Sequence, residues 1–110
     1  MRVLSLNTNT VVVEVGAALD FSSTERFKRL LRECIDGGTR HVVLDFSDTT
    51  VFDSSGLGAI FSLYREISPL GGTIAFANVS EAVRLVARLT RIDRVFPQFN
   101  SVQAATETRA

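Results

Sequence analysis

With 110 residues, 45% of them hydrophobic, the chain has enough apolar surface for one packed domain and too little for two. Twelve Lys and Arg offset twelve Asp and Glu, so no basic excess points to nucleic acid, and the longest apolar runs are strand-sized, which excludes a transmembrane helix. One cysteine rules out an internal disulfide and leaves no metal-ligand spacing, and the N-terminus lacks the apolar core of a signal peptide. A single cytoplasmic, soluble domain over residues 1–110 is expected, with 106–110 as a frayed tail.

From the start, Arg2 to Asn7 alternates weakly through Val3, Leu4 and Leu6 and reads as an edge strand. Asn7-Thr8-Asn9-Thr10 is a turn and Val11 to Val15 a second strand, so a hairpin is expected. After Gly16-Ala17-Ala18-Leu19-Asp20, the pattern Ser22-x-x-Glu25 fits a capping box. Phe27, Leu30, Leu31, Cys34 and Ile35 then form the apolar face of a helix that Gly37-Gly38 ends. The opposite face carries Arg26, Lys28, Arg29, Arg32 and Glu33, read as a solvated surface. Cys34 lies on the apolar stripe and is read as core packing, since buried thiols are inert.

Val42-Val43-Leu44-Asp45-Phe46 has the continuous apolar character of a strand covered on both faces. His41 before it has no companion ligands and reads as a strand-end residue. Asp45 needs partners, either loop N–H groups or a site at the strand's carboxyl end. A second helix follows, with Leu57, Ile60, Phe61, Tyr64 and Ile67 at helical spacing, and Pro69 and Gly71-Gly72 break it. Thr73 to Ala77 is the next strand. Asn78-x-x-Glu81 is expected to cap a third helix with Ala82, Leu85, Val86 and Leu89 as its apolar face. Val95-Phe96 is read as a short final strand ended by Pro97, and Ser101 as the cap of a last helical turn or two.

The chain's chemistry concentrates in Val51-Phe52-Asp53-Ser54-Ser55-Gly56-Leu57-Gly58, where a strand gives way to a helix. The N–H groups of a helix start lack internal partners and the dipole there favours negative charge. Asp53, Ser54 and Ser55 can each cap those donors; alternatively one hydroxyl is exposed for phosphorylation, since a helix start holds phosphate comfortably. No catalytic set accompanies them. The only histidine lies at the far side of a strand, and the run has neither the lysine of a phosphate-cradling loop nor the Gly-x-Ser-x-Gly elbow. The chain is not expected to be an enzyme.

Asp45-Phe46-Ser47 followed by Phe52-Asp53-Ser54-Ser55-Gly56-Leu57-Gly58 resembles the signature of the STAS domain, specifically the bacterial anti-sigma factor antagonists. Leu19-Asp20, Gly71-Gly72 before Thr73, Val83 to Asp93 and Ser101 to Ala104 resemble further segments of that family. Two places depart from it. Ala17 stands where the family usually has glycine, with Gly16 one place earlier, and Thr90-Arg91-Ile92 replaces Thr-Gly-Leu. Arginine in a left-handed position costs about 1 kcal/mol.

The resemblance implies an α/β STAS-like fold, with a mixed four- to five-stranded sheet packed against about four helices. It implies binding to an anti-sigma factor, itself a serine kinase with a GHKL-type ATP-binding fold, and so release of a sigma factor; the oligomeric state is open, with a monomer as the default expectation. Phosphorylation of Ser55 would abolish binding and a PP2C-type phosphatase would restore it. Asp53 would shape the site, Gly56 would belong to the same surface, Ser54 would be a cap or accessory contact, and Asp20 would lie on the adjoining docking loop. No cofactor, metal, nucleic acid or membrane is implied. Partner switching toward a non-sigma output such as secretion, biofilm or signalling stays open, as does a subunit of a membrane transporter.

Overall fold

The computed structural model describes residues 1–107. In order, these form β1 (Arg2–Ser5), β2 (Thr10–Glu14), β3 (Ala18–Leu19), α1 (Thr24–Asp36), β4 (His41–Asp45), β5 (Val51–Phe52), α2 (Ser54–Ile67), β6 (Thr73–Ala77), α3 (Glu81–Thr90), β7 (Gln98–Phe99) and α4 (Val102–Glu107). The main sheet has five strands in the order β1-β2-β4-β6-β7; β1 is antiparallel to β2 and the other pairs are parallel. This is the mixed sheet and opening hairpin expected from the sequence. A separate parallel pair, β3 with β5, was not foreseen.

The central strands are apolar in both directions because both faces are covered. Along one face, Val11, Val42 and Ile74, then Val13, Leu44 and Phe76, stand side by side in register. They pack with Phe27 and Leu31 of α1, Leu57, Ile60 and Leu63 of α2, and Val83 and Ala87 of α3. On the other face, Val12, Val43 and Ala77 meet Ala105 of α4. Burying these side chains supplies roughly 1.5–3 kcal/mol for each large one, the main force holding the layers together.

Four local expectations are corrected. The Ser22–Glu25 capping box does not form: Ser23 precedes α1 and caps it with no side-chain bond, while the Ser22 hydroxyl donates to Asp20. Asn78 does not cap α3. It sits in left-handed backbone (φ +53°), and Ser80 caps α3 instead. The buried face of α3 is Val83 and Ala87, with Val86 partly buried, whereas Leu85 and Leu89 are exposed. Both registers repeat at helical spacing, and packing into the core takes the one with Val83 and Ala87.

Finally, Val95-Phe96 is not a strand. Phe96 is fully buried, stacked on Phe76 (5.2 Å between centroids) and in contact with Phe61 and Tyr64 of α2 (5.2 and 5.3 Å). Pairing begins at Pro97, which has no N–H to give but whose carbonyl accepts from Phe76, and β7 follows it. Arg91 does take the left-handed position (φ +60°) that ends α3. At the C-terminus α4 runs to Glu107, two residues into the stretch expected to fray; 108–110 lie outside the described residues.

Cys34 is half-buried, and burial, then the neighbouring Glu33, raises its thiol pKa, away from the reactive thiolate. His41 Nδ1 lies 2.8 Å from Thr73 Oγ1 at the start of β4. Arg32 of α1 grips Glu66 of α2 through two bonds, Nε to Oε1 at 3.2 Å and Nη2 to Oε2 at 2.9 Å.

Candidate functional site

The Asp53–Gly58 segment is held by a sequence of backbone contacts from the loop after β2. Thr49 is buried, and its hydroxyl donates to the Gly16 carbonyl at 2.7 Å. The Thr50 and Val51 N–H groups both donate to the Ala17 carbonyl, at 2.9 and 3.2 Å. Ala18 then pairs with Val51 and Leu19 with Phe52. The departure at Ala17 is absorbed because Gly16 itself takes the left-handed conformation (φ +87°), which glycine adopts without a Cβ clash.

Asp53 stands in extended backbone as the N-cap of α2. Its Oδ1 accepts from the Gly56 N–H at 3.0 Å, and its Oδ2 accepts from the Phe21 N–H at 3.2 Å. One carboxylate therefore caps the helix and ties the Asp20 loop to it. Gly56 is buried, and a Cβ at this position would collide with the Leu19 carbonyl. Glycine lets α2 start directly against β3. A Cβ at Gly58 would meet nothing within 4 Å.

Capping thus falls to Asp53 rather than to Ser54, correcting that expectation. Ser54 and Ser55 are the first two residues of α2; Ser54 is exposed and Ser55 is half-buried. Among the described residues neither hydroxyl has a hydrogen-bond partner. A kinase or a phosphate therefore displaces no internal bond of theirs.

Asp20 lies on the adjoining loop, and its carboxylate, open to solvent, is bonded to the loop's own groups. Oδ1 accepts from the Ser22 hydroxyl at 2.7 Å, the Ser22 N–H at 3.0 Å and the Ser23 hydroxyl at 3.3 Å. The Ser22 hydroxyl is the main cause holding the Asp20 carboxyl below its usual pKa. Asp20 builds the loop, and the next side chain, Phe21, is 82% exposed. Sequence reasoning passed over it because one aromatic in a polar loop carries no periodicity.

Asp45 accepts through Oδ1 from the Ser47 N–H (3.0 Å) and from the Asn78 amide (3.1 Å). It pins two loop starts together and contacts neither serine. Among the described residues no group of three or more His, Cys, Asp or Glu side chains is placed to hold a metal, and no helix is long and apolar enough to cross a membrane. A surface depression of about 340 Å³ on α1 is lined by Glu25, Lys28, Arg29, Arg32, Glu33 and Asp36, charges of both signs on one solvated helix.

A mixed, largely parallel sheet leading into an acid-capped, hydroxyl-bearing helix start makes this a small α/β module. The family model of the STAS domain matches residues 3–105, and the chain belongs to that family. It is 28% identical over 99 residues to the anti-sigma F factor antagonist of Paenibacillus polymyxa, spanning 88% of this chain and 85% of that one. The fold overlays the crystal structure of a candidate anti-sigma factor antagonist of Thermotoga maritima with a TM-score of 0.90 at 25% identity, covering 97% of this chain and 92% of that one. The anti-sigma factor antagonist SpoIIAA shares the fold in its unphosphorylated form (TM-score 0.85, 22% identity, 98% and 95% covered). Its phosphorylated form does so too (0.80, 19%, 99% and 98%).

Proposed function

We propose that this chain is an anti-sigma factor antagonist that works by partner switching. Unphosphorylated, it binds an anti-sigma factor that is also a serine kinase of the GHKL-type ATP-binding fold, and the sigma factor is freed. The kinase phosphorylates Ser55, the complex separates, and a PP2C-type phosphatase resets the cycle. The observation that carries this reading is a pair of hydroxyls at the acid-capped start of α2 that have no hydrogen-bond partner among the described residues. The Paenibacillus polymyxa relative, an anti-sigma F factor antagonist, supports it.

Two opposed effects decide what a phosphate on Ser55 does. At the helix start the added charge gains about 0.3–2 kcal/mol from the dipole, so the domain stays folded. That SpoIIAA overlays this chain both with and without its phosphate supports a fold-neutral modification. At an interface the same near-dianion has to shed water, which costs several kcal/mol when no cation pairs with it. With tenfold in affinity for each 1.4 kcal/mol, the interface effect dominates and binding falls by about a hundredfold or more.

The test is to incubate the protein with purified candidate kinases and ATP and to locate phosphate by mass spectrometry. One phosphate on Ser55 is the expected result, with none on the Ser55→Ala protein. Ser55→Asp should melt within a few degrees of wild type yet lose the kinase, while Ser55→Ala keeps it. Equal binding by the two variants overturns the reading.

A further inference from the structure

Phe21 is the residue whose placement the polar chemistry of the site leaves unexplained. Its ring is 82% exposed, more than any other large apolar side chain among the described residues. Single exposed apolar side chains are ordinary; this one lies outside the helices, on a loop whose backbone is hydrogen-bonded. The Phe21 N–H is held by Asp53, the Asp20 N–H donates to the Ser23 hydroxyl at 2.9 Å, and the Ser23 N–H donates to the Asp20 carbonyl at 3.0 Å. The Asp20 carboxylate takes the Ser22 N–H and hydroxyl. Every residue from Asp20 to Ser23 is thus bonded locally, and the loop presents its ring outward from a backbone already ordered. Binding through such a ring does not have to order the backbone first.

The loop is also joined to the phosphorylatable turn by one side chain. Asp53 holds the Phe21 N–H on one carboxylate oxygen and the Gly56 N–H on the other. The Phe21 backbone and the start of α2, which carries Ser54 and Ser55, are therefore bonded to a single carboxylate, and the surface that includes this turn continues into the Phe21 loop.

We propose that Phe21 is the apolar anchor of the kinase-binding surface, seated in an apolar pocket of the kinase, and that Asp53 is the positioning residue that fixes it relative to Ser55. This deepens the partner-switching reading and rests on it. Aromatic anchors of this kind carry a large share of an interface's binding energy. Asp53 also gives the switch a route to the anchor. A phosphate on Ser55 crowds negative charge against this carboxylate and competes for the Gly56 N–H, which loosens the bond to the Phe21 N–H.

The probe is the kinase that phosphorylates the wild-type chain, titrated calorimetrically with ADP present. In the Ser55→Ala background, where no phosphate is added, Phe21→Ala should weaken binding at least about tenfold. Phe21→Leu should recover part of that loss. Unchanged thermal melting should accompany both, since the ring is exposed. Native-state hydrogen exchange then isolates the positioning role without any kinase. In Asp53→Asn the Phe21 amide should exchange at least about tenfold faster, with the amides in the middle of α2 unchanged.

Wild-type protein that is phosphorylated on Ser55, with Phe21→Ala binding as tightly as its parent, overturns the anchor and leaves partner switching standing. If no kinase binds the wild-type chain, both fall. An unaltered Phe21 exchange rate in Asp53→Asn overturns the positioning role.

Discussion

The starts of α2 and α3 meet the same requirement, partners for the first N–H groups of a helix, with different consequences. At α3 the Ser80 hydroxyl accepts from Val83 N–H across 3.4 Å and, among the described residues, makes no hydrogen bond to another segment. At α2 the Asp53 carboxylate makes two bonds, at 3.0 and 3.2 Å, and the second crosses to a loop more than thirty residues earlier in the chain. α2 is also seated on the Leu19 carbonyl through Gly56. One start is a cap; the other is a junction. A modification at a junction reaches a second segment, whereas the same group at α3 would be felt only by α3.

The strongest way to break this comparison is to push the junction apart. Gly56→Ala places a Cβ into the Leu19 backbone, and neither α2 nor β3 can give way without disturbing the core beneath them. We expect a loss of about 1–3 kcal/mol in urea denaturation, the usual range for overpacking. Gly58→Ala is the matched control. It has open space and lies inside α2, so it should gain up to about 1 kcal/mol from helix propensity. Equal stability of the two variants would mean that the close seating of α2 on β3 does not exist.

Next in size is the contrast between the caps themselves. Asp53→Ala should cost about 1–2 kcal/mol, and Ser80→Ala about 0.5 kcal/mol, at the two ends of the range for lost N-caps. The sharper signature is spatial. Only Asp53→Ala should raise amide exchange in 20–23, and Ser80→Ala should confine its effect to the first turn of α3. A larger loss from Ser80→Ala would reverse the comparison.

The difference between these helix starts also explains how far the chain could be read from its sequence. The parallel strands were legible because Val11-Val12-Val13 and Val42-Val43-Leu44 are apolar in both directions, as burial on both faces demands. The α2 junction was legible because an acid, two hydroxyls and a glycine coincide where a strand must become a helix. The third helix was legible but its buried face was not, because two overlapping apolar registers exist, and only packing into the core chooses Val83 and Ala87 over Leu85 and Leu89. Phe96 is a lone aromatic before a proline, and its role depends on Phe61, Tyr64 and Phe76, which come from distant stretches of chain. Of the candidate site, the segment itself could be read from local chemistry. Its connection to Phe21 could not, because no local pattern says which N–H the second oxygen of Asp53 will meet.

The smallest expected effect comes from a third kind of link, a charge pair between helices. Arg32 and Glu66 join α1 to α2 with two bonds, but both side chains remain substantially exposed to water. Solvent and salt screen such a pair, and Glu66→Gln should therefore lower stability by no more than about 0.5 kcal/mol near neutral pH. The pH dependence separates this small term from general packing effects. Hydrogen bonding to Arg32 is the main cause holding the Glu66 carboxyl below its usual value of 4.5. A carboxyl whose pKa is depressed by folding contributes its stabilisation above the unfolded value and loses it as pH falls through the folded one. The gap between wild type and Glu66→Gln should accordingly be full above about pH 5 and close as the pH falls further below 4.5, and 0.5 M salt should narrow it at neutral pH. A gap that persists unchanged into acid would assign the link between α1 and α2 to packing alone and set it apart from the Asp53 junction, where a carboxylate joins the segments by hydrogen bonds.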